Sequence, residues 1–67
     1  MKIFSYPANV RIDRASFHLV TFPDVPEAGT DAKTRAEALH EATDALIAAL
    51  GGYMAKHQPI PQPSREL

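Results

Sequence analysis

The sequence predicts an α+β fold in which a small three-stranded antiparallel sheet packs on one long helix. Three observations predict it. Thr34 to Lys56 opens with a capping box and continues with apolar residues at helical spacing. Ile3 to Ile12 and Ser16 to Phe22 alternate, or are rich in β-branched and aromatic residues, which is how strands read. The strands all precede the helix, and that order gives two layers, sheet on helix.

Residues Ile3 to Ile12 read as a first strand, with Phe4, Tyr6, Ala8, Val10 and Ile12 on one face. Pro7 has no amide to donate, so this strand sits at an edge or turns position 7 outward. Asp13-Arg14-Ala15-Ser16 is short and polar enough for a hairpin connection but lacks an Asn-Gly turn signal. Ser16 to Phe22 is the second strand. It carries Phe17 and Leu19 on one face and Val20 and Phe22 on the other, more apolar surface than a half-wet strand needs, which places it centrally or at a subunit contact. Pro23 to Glu27 is a loop stiffened by two prolines. Ala28 to Ala32 reads as a short third strand, with Gly29 permitting a bulge or tight approach.

In the helix, Thr34 and Glu37 form the capping box, and Leu39, Thr43, Leu46, Ile47, Leu50 and Met54 form the apolar stripe. Ala36, Ala38, Ala42, Ala45, Ala48 and Ala49 supply propensity, and Glu37, His40, Glu41 and Asp44 form the wet side. Gly51-Gly52 costs about 1 kcal/mol per glycine relative to alanine. The register continues through Tyr53 and Met54, so one helix to Lys56 is expected, with close packing as the reason for the glycines. His57 to Pro63 has too many prolines for a helix and reads as extended or polyproline II. Ser64 to Leu67 is a polar end.

Composition narrows the function classes. A chain of 67 residues is one domain. A domain this size buries only about 60% of the surface its unfolded chain exposes. With no cysteine, neither disulfides nor thiolate zinc sites make up the deficit, so a homo-oligomer or an obligate partner is expected. Seven basic and eight acidic side chains give a net charge of −1, which lacks the basic footprint of an autonomous nucleic-acid binder. No apolar run approaches the roughly 18 residues of a membrane span, and the N-terminus lacks a signal-peptide apolar region. A cytoplasmic location with no membrane contact is the expectation.

Several motifs together resemble one family. They are Tyr6-Pro7 at a strand start, Phe22-Pro23-Asp24-Val25-Pro26 closing an aromatic strand, Thr34-x-x-Glu37-Ala38-Leu39 opening the helix, Asp44-Ala45-Leu46, and Pro59-Ile60-Pro61-Gln62-Pro63-Ser64. Across residues 3 to 64 their order and spacing resemble the N-terminal domain of HicB-type antitoxins, the partners of HicA toxins. The resemblance implies a partial RNase H-like β-β-β-α fold, with a short additional strand from the proline-rich end. It implies a toxin-neutralising domain at residues 1–57 and a proline-rich tail or linker at 58–67. It also implies a HicA-type mRNA-cleaving ribonuclease as partner. Family members commonly carry a C-terminal DNA-binding domain. The chain ends at Leu67 before any such domain, so it is expected to be a fragment, with DNA bound only through a part not present here. It departs from the family in having Arg14-Ala15-Ser16 where paired glycines are common, and His18 where an aromatic is common.

Catalytic readings fare poorly. Asp13, Asp24 and Asp31 lie in loops or at strand ends, and nothing in their spacing gathers them as a metal-bound carboxylate cluster. His40-Glu41-x-x-Asp44 lacks the second histidine of a zinc helix, and Glu37 with His40 lacks the further helices of a di-iron bundle. No Gly-x-Ser-x-Gly elbow accompanies the serines and the three histidines. Pro23-x-x-Pro26 and the tail prolines match peptide-ligand spacing that chance also supplies. No enzyme activity, cofactor or metal is expected.

Binding remains. An inhibitor of a ribonuclease must meet a basic, RNA-holding surface, which calls for carboxylates. Asp24, Glu27, Glu37, Glu41 and Asp44 are the acidic candidates, and Val25 and Tyr53 are the apolar anchors. The alternative is a stand-alone oligomeric module that binds a peptide or small ligand and has no toxin.

Overall fold

The computed structural model describes residues 1–64. In chain order its elements are β1 (Lys2–Ile3), β2 (Tyr6–Pro7), β3 (Asn9–Ile12), β4 (His18–Thr21), a 3-10 turn (Pro26–Ala28), β5 (Thr30–Ala32) and α1 (Arg35–Ala55). Strands β3, β4 and β5 form an antiparallel sheet with β4 in the middle. The central placement of the second strand is as expected. Helix α1 lies across β4, β5 and the 3-10 turn, giving the anticipated two layers.

The first strand is not continuous. Phe4 and Ser5 adopt φ of 50° and 71°, so the chain turns back and pairs Ile3 with Tyr6 and Lys2 with Pro7. Left-handed φ at both central residues is what a two-residue hairpin needs, and here it is met without glycine. The reversal takes Phe4 out of register with Tyr6 and Ala8. Those two are buried whereas Phe4 is 60% exposed, and Ile12 at the far end of β3 is exposed as well.

The second turn is built by Asp13. Its Oδ1 accepts from the amides of Ala15 (2.9 Å) and Phe17 (3.0 Å), while Ser16 takes φ of 66°. An aspartate closing its own turn replaces the missing Asn-Gly signal. Because Ser16 is left-handed, β4 begins at His18 rather than at Ser16. Downstream, Pro26 opens a 3-10 turn that takes Ala28 out of the third strand, so β5 starts at Thr30. Gly29 is extended, with φ of −64°, and a Cβ there meets the Val20 carbonyl oxygen at an ordinary 3.6 Å, so the fold needs neither a bulge nor a tight approach.

Helix α1 starts at the predicted cap: Thr34 accepts from the Glu37 amide at 3.1 Å, but among the described residues the return bond of a capping box, Thr34 amide to Glu37 carboxylate, is not seen. It runs unbroken through Gly51 and Gly52. The close packing expected around the glycines is absent, since a Cβ at either would meet nothing within 4 Å. The predicted stripe is buried only in part: Leu46 lies in the core and Leu39 and Leu50 pack against it, but Ile47 and Met54 do not. Ala38, Ala42 and Leu46 are fully buried, whereas Ile47 and Met54 are 53% and 59% exposed. Alanines on the contact face let the helix sit close to the sheet, and that moves the seam away from Ile47 and Met54. Leu39, Ala45, Ala49, Leu50 and Tyr53 flank the seam, half-buried.

The helix ends in a left-handed residue, His57 (φ 56°). Its amide donates to the Met54 carbonyl at 3.1 Å, and the Gln58 amide to the Tyr53 carbonyl at 2.9 Å. This pair of bonds is the Schellman closure usually given to glycine. Residues 58–64 then belong to no regular element and form no strand. Prolines at 59, 61 and 63 remove every second amide that a ladder would use.

The core comprises Tyr6, Ala8, Val20, Phe22, Val25, Ala28, Ala32, Ala38, Ala42 and Leu46. Phe22, Leu46, Val20 and Val25 are its largest fully buried members. Each such side chain contributes about 1.5–3 kcal/mol over leaving it in water.

Candidate functional site

The seven residues singled out from the sequence fall into four different situations. Glu37, Glu41 and Asp44 share the exposed side of the first half of α1. Asp44 pairs with His40 one turn away at 3.5 Å, a contact open to water. Among the described residues, no side-chain hydrogen bond or ion pair of Glu37 or Glu41 is seen. These carboxylates form the free acidic face that the sequence suggested.

Glu27 and Tyr53 are brought together, but with each other. The Tyr53 hydroxyl donates to the Glu27 carboxylate, 2.8 Å from each oxygen. That hydrogen bond, with smaller help from desolvation and the carboxylate's charge, raises the Tyr53 phenol above its ordinary value. The pair ties the 3-10 turn to the last turn of α1. It also lines a cavity of about 200 Å³ with Ala49, Gly52, Lys56 and Gln58.

Asp24 is committed to the tail. Its two oxygens accept from the Ser64 hydroxyl at 2.6 Å and the Ser64 amide at 2.8 Å. Both bonds hold the carboxyl below its usual range, the hydroxyl contributing more than the amide. Val25 is completely buried. Its side chain fills the core beneath the loop and offers nothing to a partner, because the proline-flanked segment turns it inward.

The loop and strand-end aspartates stay apart. Asp13 closes the β3–β4 turn, Asp24 holds Ser64, and Asp31 lies exposed on β5. Among the described residues no three histidines or carboxylates gather into a metal-binding group.

Sequence reasoning missed the tail contacts. The Tyr6 hydroxyl donates to the Pro61 carbonyl at 2.6 Å, and with Asp24–Ser64 this lays residues 58–64 back along the domain. Their partners lie 55 and 40 residues apart, so no local pattern announces them. It also missed the exposed pair Ile47 and Met54. The 4-residue spacing of Ala38, Ala42 and Leu46 would have found it, because a buried seam there turns residues 47 and 54 to the opposite side.

A family model described as the HicB-like antitoxin of bacterial toxin–antitoxin systems matches residues 5–67. The chain belongs to that family. Antitoxin HicB 1 of Photorhabdus laumondii is 41% identical over 63 residues, covering 94% of this chain and 41% of that protein. Antitoxin HicB of Escherichia coli K12 is 39% identical over 59 residues, covering 88% of this chain and 43% of that protein. The chain thus spans less than half the length of these curated relatives. The crystal structure of the N-terminal domain of Burkholderia pseudomallei antitoxin HicB superposes with a TM-score of 0.80, at 21% identity, covering 90% of this chain and 72% of that one. The HicB fold expected from the motifs is therefore the fold observed. No helix among the described residues is long and apolar enough to cross a membrane.

Proposed function

We propose that this HicB-like domain is a non-enzymatic antitoxin module that neutralises a HicA-type ribonuclease by covering its RNA-binding and active surface. The observation that carries the reading is the acidic half-face of α1. Glu37, Glu41 and Asp44 lie on one exposed side of a rigid helix, whereas Asp24 and Glu27 are spent on intramolecular bonds. A ribonuclease must be basic where it holds phosphates, and carboxylates fixed on a helix are placed to occupy that surface. Opposite charge at this range speeds encounter and fixes orientation, and the effect weakens as salt rises. The setting is the cytoplasm, where messenger RNA is the toxin's target. Binding to DNA is assigned to no part of this chain, whose net charge is −1.

The rival reading, a stand-alone module for a small ligand, has two depressions to offer. The one beside Glu27 and Tyr53, about 200 Å³, falls below the roughly 300–1,000 Å³ of ligand sites. The other, about 390 Å³, lies over Leu19, Val20, Thr21, Gly29, Thr30 and Asp31 at the sheet. Among the described residues no charged or polar side chain is buried to orient a ligand in either. The antitoxin reading is the better supported.

The test is titration of the purified domain into RNA cleavage by a HicA-type ribonuclease. Cleavage falls to background near one equivalent, and a Glu37→Lys/Glu41→Lys variant slows association most strongly at low salt. Undiminished cleavage at large molar excess of folded domain overturns the proposal.

A further inference from the structure

Beyond Leu46, the face of α1 that meets the sheet continues as Ala49, Gly52, Tyr53 and Lys56. Its cover thins there. Leu46 is fully buried, Ala49, Gly52 and Tyr53 are half-buried, and Lys56 is exposed. With Glu27 of the 3-10 turn and Gln58 after the helix, these last four residues line the cavity of about 200 Å³. Gly52 keeps it open. Glycine inside a helix lowers its stability, and nothing within the chain gains from this one, because a Cβ on it would meet no atom within 4 Å. That Cβ would stand in the cavity, so the missing side chain leaves room for a group from outside.

Resting on the antitoxin reading, we infer that the cavity takes one arginine side chain of the ribonuclease, its guanidinium against Glu27 and its stem over Gly52. Size selects a side chain. The volume falls short of the roughly 300–1,000 Å³ that free ligands occupy, and the rest of an interface carries a side chain in. Charge selects a cation. The Tyr53 hydroxyl holds the Glu27 carboxylate in place, 2.8 Å from each oxygen. That bond satisfies part of the carboxylate without neutralising it, since an ionised carboxylate offers about four acceptor sites and the hydroxyl faces one on each oxygen. Having given its proton to Glu27, the Tyr53 hydroxyl keeps lone pairs as further acceptors. Lys56 is the other charge on the lining, but it is exposed and makes no ion pair with Glu27 among the described residues. Its long stem lets the ammonium swing into water, whereas the carboxylate is fixed, so the standing charge of the cavity is negative. Planarity selects arginine over lysine. A guanidinium meets a carboxylate with two parallel N–H donors and stacks on an aromatic ring, and Tyr53 supplies the ring. One partner can span this cavity and the acidic side of α1, because Gly52 lies about 20° around the helix from Glu41 and about 16 Å further along it.

Isothermal titration of a HicA-type ribonuclease with the domain reads the contact. Glu27→Gln keeps the length of the side chain and an oxygen for Tyr53 but removes the charge. It weakens binding at least about 10-fold, with unchanged circular dichroism. Gly52→Ala weakens binding by a similar factor although it stabilises the helix, a combination that a merely structural glycine would not give. Gly51→Ala is the control: it lies outside the lining, its Cβ also meets nothing within 4 Å, and affinity stays unchanged. Replacing the ribonuclease's arginines singly by alanine finds one whose loss weakens binding to the wild-type domain but adds nothing to Glu27→Gln. Wild-type affinity in both Glu27→Gln and Gly52→Ala, equal weakening by the two glycine variants, or no arginine coupled to Glu27 overturns the inference and leaves the antitoxin reading standing. A wild-type domain that binds no ribonuclease overturns that reading and the inference with it.

Discussion

Ser64 donates twice to the Asp24 carboxylate, from its hydroxyl at 2.6 Å and its amide at 2.8 Å, and so fastens the tail to the loop after β4. Because these bonds favour the ionised carboxylate, Asp24 titrates below the ordinary carboxylate value of 3.8. A depressed acid stabilises the folded arrangement above its unfolded pKa and loses that contribution as pH falls through the folded one. The tail is therefore held at neutral pH and released in acid, below 3.8. Amide exchange at Ser64 and proteolysis between Gln58 and Ser64 should both rise sharply over that range. Asp24→Asn should show the released behaviour already at neutral pH, with the helix and sheet unchanged by circular dichroism.

His18 is half-buried in the central strand, and its Nδ1 is shut off from water with no hydrogen-bond partner among the described residues. A polar atom left unsatisfied costs on the order of 1–3 kcal/mol. His18→Phe removes the orphan atom, keeps an aromatic of similar shape and suits a strand. Thermal unfolding should move upward by about 4–8 °C for each kcal/mol gained in a domain this small. A fall in the midpoint would mean that the imidazole has a partner in solution.

How much of this was legible beforehand depends on how local each cause is. The helix start was, because Thr34 and Glu37 are three residues apart and the cap needs nothing else. So was the central strand, since Val20 and Leu19 together call for cover on both faces. The break at Phe4-Ser5 was not: left-handed φ without glycine carries no residue signature, and the alternation through Tyr6 and Ala8 looked continuous. The helix seam was misplaced for a physical reason. Large apolar residues at helical spacing point to a contact face that includes Ile47, but close approach to a sheet favours small ones, so Ala38 and Ala42 join Leu46 inside and Ile47 does not. At the candidate site, the exposed carboxylates of α1 follow from helical spacing alone. The commitments of Asp24 and Glu27 follow from the tertiary fold, which no spacing encodes.

Gly52 offers a separate check on the claim that the helix glycines serve nothing inside the chain. A Cβ there meets no atom within 4 Å, and the backbone is ordinary helix. Gly52→Ala should therefore stabilise the isolated domain by about 1 kcal/mol, the difference in helix propensity. Urea unfolding at low protein concentration measures it through a higher midpoint with the same slope. Destabilisation would show that the last turns of α1 pack more tightly than the distances indicate.

Adjacent residues on α1 give the sharpest contrast. Leu46 is fully buried between the helix and the sheet, and Ile47, next in sequence, is half exposed on the opposite side. Leu46→Ala removes buried methyl groups and leaves a cavity that the small flanking residues Ala42 and Ala45 cannot fill, for a loss of about 2–5 kcal/mol. A domain of this size has total stability of the same order, so most of that variant should be unfolded at 37 °C. Ile47→Ala touches no core contact, and alanine is the better helix former. Measured on the monomer at low concentration, its effect should stay within about 0.5 kcal/mol. Equal losses from the two substitutions would put Ile47 in the core.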